Sequence, residues 1–453
     1  MTDAPSGNLN VEISPANTLS NGLISFKGGA PVIQFIIGEQ DRMLIGKSVR
    51  LCGDFRVRLN SQAAPADFVD AATAPNLHLP ARLGTYAMID QVVLKSQATH
   101  QVIEHIRHYS RFCASFIPVT NALSDSKSHL AESSLIMPNY QIHKDSVTDL
   151  PSQGTTGNSF CMSLPCGLFN GVADIPLSSQ WGLGGLLVEI HLAPDNNVLF
   201  DITGAAGTFG DAFYELSKVK LVAEMVNPTP QMLSQYSAGG NTFEYNTISS
   251  YYASINSSNA IINFNLGMRR VLGVFANFLP SASINSLSAD GTATPPLINS
   301  GAAGTVADIT QVVFTRGGTR YPLEYNLDTS QRDDTALSQQ DQVDSQLMRN
   351  YLNSIKSFAN IARTGVSSRG TWLNNHTGLT QALADMTAAE NGNCFGVGVA
   401  YDTISGDGVD FSQLNWGLQM ECGLTTNRPH AAYVFVHSKN TLVFNSSGLQ
   451  IVQ

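Results

Sequence analysis

Ile309–Leu327 reads ITQVVFTRGGTRYPLEYNL: a β-rich run, a Gly317-Gly318 pair suited to a tight hairpin turn, and a return run rich in aromatic residues. Part of it occurs twice. Ile89–Lys95 reads IDQVVLK, so Ile, Gln, Val and Val recur in register at 89 and 309, 220 residues apart. Other pieces repeat in the same order. Arg50, Gly53 and Phe55 meet Arg270, Gly273 and Phe275, again 220 apart. Arg107 and Tyr109 meet Arg349 and Tyr351, 242 apart. Gly157, Asn158 and Phe160 meet Gly392, Asn393 and Phe395, while Trp181, Gly182 and Leu183 meet Trp416, Gly417 and Leu418, both 235 apart. The matches are collinear, and the spacing shifts only where loops of different length would fall. A period of about half the chain means one unit duplicated and fused, since solenoid repeats run to about 20–50 residues.

Each copy is a string of short strands. In the first, Val32–Ile37, Phe55–Leu59, Met88–Lys95, Phe160–Leu164 and Leu186–Leu192 carry apolar or alternating patterns. Val219, Leu221, Ala223 and Met225 then alternate with Lys218, Lys220 and Glu224 in its last strand. In the second, strands are expected at Ala260–Phe264, Val271–Leu279, Phe395–Ala400, Gly417–Cys422, Tyr433–His437, Thr441–Phe444 and Leu449–Val452. Each copy also holds one helical stripe. In the first it is Val102, Ile106, Tyr109, Cys113 and Phe116 within Val102–Ile117; in the second it is Leu347, Tyr351, Ile355 and Phe358. Asn227-Pro228-Thr229-Pro230 stops the first sheet, because proline cannot donate to a ladder. The expected division is an N-terminal arm at 1–30, broken by Pro5, Pro15 and Gly28-Gly29, then one β-unit at 31–227 and a second at 231–453. Many short strands and one helix in about 200 residues fit an all-β sandwich or barrel, with the eight-stranded jelly roll among the candidates.

Of the 453 residues only 13% are charged, about half the usual share, against 43% hydrophobic. Polarity therefore comes from Ser, Thr, Asn and Gln, a composition suited to surfaces covered by other subunits. A merely uncharged β-protein would look similar. The net charge of −10 and the lack of a basic run argue against coating nucleic acid. No signal-like N-terminus and no apolar run near the ~18 residues needed to span a bilayer is seen, so synthesis in the cytoplasm is the expectation. The six cysteines (Cys52, Cys113, Cys161, Cys166, Cys394, Cys422) are accordingly expected as reduced, mostly buried thiols, with Cys161 and Cys166 the one close pair in sequence.

Chemistry-bearing patterns are weak. Arg316 and Arg320 flank the hairpin turn and could grip a neighbour's carboxylate, but arginines lying over Tyr321 and Tyr325 are the plainer reading. His100, His105 and His108 sit near Glu104, and on a helix Glu104 and His108 would share a face; the second copy lacks all three histidines, and no metal-ligand spacing supports them. Gly365-Val366-Ser367-Ser368-Arg369-Gly370 only superficially resembles a nucleophile elbow. Glu189 and Glu421 fall on corresponding strands at non-matching positions, a poor case for a glycosidase pair. Asn256, Asn375 and Asn445 begin Asn-x-Ser/Thr triplets, read as coincidence without a secretory route. No catalytic residue, cofactor site or metal site is assigned, and no enzyme is expected.

With the duplicated unit, its helices, FTRGGTRYPLEYNL and the closing LVFNSSGLQIVQ in place, the chain resembles the major capsid proteins of polinton-like viruses and virophages. That resemblance implies two tandem eight-stranded jelly-roll barrels, a double jelly roll, with a short helix inserted in each. It implies a structural protein of the virion. Three copies would form a pseudo-hexameric capsomer of an icosahedral DNA virus shell. The partners implied are further copies, neighbouring capsomers, and penton and minor capsid proteins, without sequence-specific nucleic-acid contact; an internal membrane is left open. The alternative is a two-domain β-sandwich that binds or cleaves carbohydrate. It would need aromatic platforms or paired acids, for which Trp181, Trp372 and Trp416 are thin support.

Overall fold

The computed structural model describes residues 9–17, 22–29, 31–59, 77–79, 83–120, 133–134, 158–171, 173–201, 212–231, 233–234, 242–257, 259–264, 266–281, 284, 309–316, 319–320, 349–356, 396–401, 408–412, 418–424, 429–445 and 448–452. Sixteen strands build two equivalent sets. The first set is β1 (Leu9–Ile13), β2 (Val32–Ile37), β3 (Arg50–Leu59), β4 (Ile89–Ser96), β5 (Val102–Arg107), β6 (Asn158–Ser163), β7 (Leu186–Leu192) and β8 (Ala212–Val226). The second is β9 (Thr242–Ile255), β10 (Asn259–Phe264), β11 (Val271–Pro280), β12 (Ile309–Arg316), β13 (Thr319–Arg320), β14 (Gly396–Ala400), β15 (Leu418–Leu424) and β16 (His430–Asn445).

Connectivity repeats strand for strand. In the first set one sheet runs β6-β3-β8, with β1 pairing β8, and the other runs β2-β7-β4-β5. In the second set the sheets run β14-β11-β16-β9 and β10-β15-β12-β13. Adding eight to each label converts one set into the other. Every ladder is antiparallel, and each set divides its eight strands between two four-stranded faces, the jelly-roll arrangement. Short pieces extend the frame: Met43–Leu44 and Ile175–Pro176 continue from the end of β8, and Gly448–Val452 folds back on β16.

The repeated residues land on equivalent elements. The IDQVVLK and ITQVVF runs are β4 and β12, and the Gly53/Phe55 and Gly273/Phe275 pairs are β3 and β11. Trp181 precedes β7 as Trp416 precedes β15 in the chain. Side-chain alternation then fills the space between faces. Leu51, Phe55 and Val57 of β3 and Val219, Leu221, Ala223 and Met225 of β8 are buried, as are Val188 and Ile190 of β7 and Ile33, Phe35 and Ile37 of β2. Lys218 breaks β8: its φ of 52° sits at a register shift between Ser217 and Lys220, a bulge that lets the strand bend across its partner β3.

Two expectations are corrected. The helix read from Val102 starts later: Val102–Arg107 is β5, and α1 spans Tyr109–Thr120. Val102 is exposed and Ile106 buried, both in a strand, so the run Val102, Ile106, Tyr109 only imitated a helical stripe; His108, at φ 54°, is the corner between the two elements. In the second copy residues 349–355 are helical, with Tyr351 and Ile355 buried; Leu347 and Phe358 lie outside the described residues. The 1–30 arm is not free of regular structure either. Leu9–Ile13 pairs with Leu221–Met225 as the first strand of the first sheet, because Pro5 and Pro15 flank the alternating LNVEI run without interrupting it.

Candidate functional site

The described residues bring together a set of buried polar and aromatic side chains where the two β-units meet. The joint is built from β5 and α1 of the first unit against β9, β11 and β16 of the second. From Tyr109 to Ile117 helix α1 is buried, with Ser110 half-buried. Tyr109, Phe112, Cys113, Phe116 and Ile117 are inaccessible, and so are Arg111 and Ser115. A helix buried this far needs neighbours on several sides, and here two barrels supply them. Phe112 stands edge-on to Phe435, with ring centroids 5.5 Å apart, and tilted against Phe275 at 6.1 Å. The apolar core is continuous from one unit to the other.

Hydrogen bonds pin that packing. Asn277 Nδ2 donates to Arg111 O at 2.8 Å and to Ser115 Oγ at 2.7 Å, closing polar groups of α1 onto β11. Tyr351 of the second helix donates its hydroxyl to Ser115 O. Tyr245 Oη donates to Ile103 O at 3.0 Å, and the Arg107 N–H reaches Ser250 Oγ at 3.1 Å, so β5 and β9 are stitched along their length. The Arg111 guanidinium lies 5.5 Å from the Tyr433 ring centroid, an arrangement that offsets the loss of water around a buried cation.

Glu104 is the centre of the joint. Its carboxylate accepts the N–H groups of Gly167 and Leu168, both at 2.9 Å, and of Ile248 at 2.8 Å. One side chain thus ties the loop after β6 and strand β9 to β5. The Cys166 thiol also hydrogen-bonds to it. Burial opposes its charge more strongly than these donors favour it, and the carboxyl is pushed up to about 7. Gly167 allows the approach: a methyl there would stand 2.5 Å from Thr247 Cα, a backbone atom with nowhere to go.

The residues singled out in the sequence are dispersed. Glu104 and His108 share no helix face, since Glu104 lies in a strand and His108 in the corner after it, its ring edge-on to Tyr433 at 5.1 Å. His105 Nε2 pairs with Gln91 Oε1 at 2.9 Å, and burial holds its pKa below the ordinary value. Glu189 binds Lys95 Nζ at 2.6 Å and Gln34 Nε2 at 3.1 Å, an ion pair across neighbouring strands. Glu421 lies on β15 opposite Val313 and Ile261 in backbone register. Arg316 and Arg320 are in β12 and β13, joined across the turn; Gly317-Gly318, Tyr321 and Tyr325 fall outside the described residues, as do 365–370, Asn375, Trp372 and Trp416. Trp181 is half-buried and Asn256 exposed. Cys113 and Cys166 are buried, whereas Cys52 and Cys161 are half-buried and face one another. Among the described residues no group of three or more His, Cys, Asp or Glu could hold a metal ion, and no helix is long and apolar enough to cross a membrane.

No protein-family model and no curated protein matches the chain. Solved structures do. VP54 of PBCV-1, fitted into a cryo-EM reconstruction of the virophage Sputnik, aligns with a TM-score of 0.53 at 10% identity over 100% of this chain and 98% of that one. The Sputnik virophage structure by cryo-EM gives 0.54 at 11% identity over 99% and 89%. The Faustovirus major capsid protein gives 0.50 at 10% over 98% and 91%. At such identities the likeness concerns architecture, and the architecture is that of a double jelly roll.

Proposed function

We propose that this chain is the major capsid subunit of an icosahedral DNA virus, a structural protein without enzymatic activity. The observation that carries the reading is the end-to-end match, over nearly the whole of both chains, between two fused jelly rolls here and coat proteins such as that of Faustovirus. Two rolls locked by a buried joint make one block, and three blocks around a threefold axis make a ring of six similar rolls, sixfold in outline from a true threefold. The scarcity of charge suits surfaces that end up against other copies.

In this reading the chain divides into an arm at 1–30, a first roll at 31–227 and a second at 231–453, with Leu9–Ile13 reassigned from the arm to the first roll. The partners are two further copies, neighbouring capsomers, and penton and minor capsid proteins, and the site of action is the virion after synthesis in the host cytoplasm. Nucleic acid is enclosed without sequence-specific contact. Light scattering coupled to size-exclusion chromatography tests the reading. A stable species of three 48.5 kDa chains is expected, and a monomer at micromolar concentration would overturn it.

A further inference from the structure

Cys52 and Cys161 stand directly opposite each other in the antiparallel ladder between β3 and β6. Their Sγ atoms are 2.9 Å apart. A disulfide bond is about 2.05 Å, so the sulfurs need to close by less than about 1 Å, and directly paired strand residues already lie within the Cα range that bridges accept. Leu51, Phe55, Phe160 and Met162 point into the core, which puts the two cysteines on the other side of the sheet, half-buried. Cys113 and Cys166 are sealed in the interior. On balance the surroundings raise the Cys52 thiol above its ordinary pKa. The hydrogen bond to Cys161 and burial push the Cys52 pKa up, while Lys220, its partner on β8, and Arg50, two residues along the same strand face, pull it down.

We propose that Cys52 and Cys161 are a redox modification site, joined into a disulfide by a peroxide-class oxidant. One sulfur, as thiolate, attacks a peroxide oxygen; the O–O bond breaks, sulfenic acid forms, and the departing hydroxide takes up the thiol proton as water. The second sulfur attacks the sulfenic sulfur, the S–O bond breaks, and a second water leaves with the remaining proton. Two thiols lose two electrons, and one hydrogen peroxide becomes two waters. The bridge closes a span of 109 residues, and closures of long spans restrict the unfolded chain most. The site is thus a reversible staple on the first roll, and it does not depend on the coat reading.

The test treats the purified full-length chain with hydrogen peroxide, alkylates remaining thiols, and maps peptides without reduction. A peptide linking Cys52 to Cys161 is expected, together with a melting temperature raised by at least about 3 °C and restored by dithiothreitol. Cys52→Ser removes both the linked peptide and the shift. Separate alkylation of Cys52 and Cys161 after peroxide, sulfinic acid at either without a linked peptide, or bridging to Cys394 or Cys422 instead would overturn the proposal. The mapping of the unaltered chain decides the matter even if the serine variant folds poorly.

Discussion

The two rolls share a strand order and differ in what their helices do. Helix α1 of the first roll packs against β4 of its own roll and also against β11 and β16 of the second, where Phe112 meets Phe275 and Phe435. The helix at 349–355 lies against β14 of its own roll, so close that a methyl on Gly396 would stand 2.5 Å from Tyr351 Cε2, and the Tyr351 hydroxyl reaches α1. The charge at the joint is one-sided too. Glu104 lies three residues before Arg107, and the residue three before Arg349 is Gln346. Duplication supplies two equal frames; specialising one helix and one carboxylate turns them into a single block with a defined direction.

That asymmetry can be broken in order of effect. Phe112→Ala removes a fully buried ring from the joint and is expected to destabilise the chain by about 3–5 kcal/mol. Calorimetry should show one unfolding transition splitting into two as the rolls uncouple. A single transition at unchanged temperature would mean that α1 does not couple them. Glu104→Ala leaves three buried N–H groups without an acceptor and should reduce stability by about 2–4 kcal/mol in denaturant titrations.

Glu104 also predicts a pH dependence. Its folded pKa of about 7 lies above the ordinary 4.5, so between those values the folded chain holds a proton that the unfolded chain has released. Its contribution therefore falls as pH rises through that window, by roughly 3 kcal/mol in all. Glu104→Gln should flatten this slope, and an unchanged slope would assign the titration elsewhere.

Smaller effects sharpen the comparison from the second roll's side. At Gly398 an added methyl would meet Ser354 Cβ at 2.8 Å, so Gly398→Ala should displace the second helix and destabilise by about 1–3 kcal/mol, without splitting the transition. Glu244→Gln removes a 2.8 Å ion pair with Arg270 at the roll's surface, where Glu244 is largely exposed. Solvent screens such pairs, and a change of no more than about 0.5 kcal/mol is expected in the same titration.

Much of the frame was legible from residue patterns. The IDQVVLK/ITQVVF echo and the Gly53/Gly273 echo mark strands that prove equivalent in sheet order, because backbone pairing demands similar residues at similar places in both copies. The helix boundary was not legible. Val102, Ile106 and Tyr109 fall at helical steps although Val102 is exposed on β5, and apolar spacing alone does not separate a strand that turns a corner from a helix. The joint was hidden for a different reason. Glu104 sat among histidines that drew attention to metals, and its true partners are main-chain N–H groups at 167, 168 and 248, which every residue but proline possesses. The Cys52–Cys161 pair depends on β3 and β6 lying side by side in register, which no local pattern announces across 109 residues.

The most direct test of two fused rolls acting as one building block is an electron-microscopy reconstruction of the expressed full-length protein. The account predicts a threefold ring with six lobes of similar size, two from each chain, joined in pairs through α1. A solitary particle, or a ring whose lobes count one per chain, would contradict it.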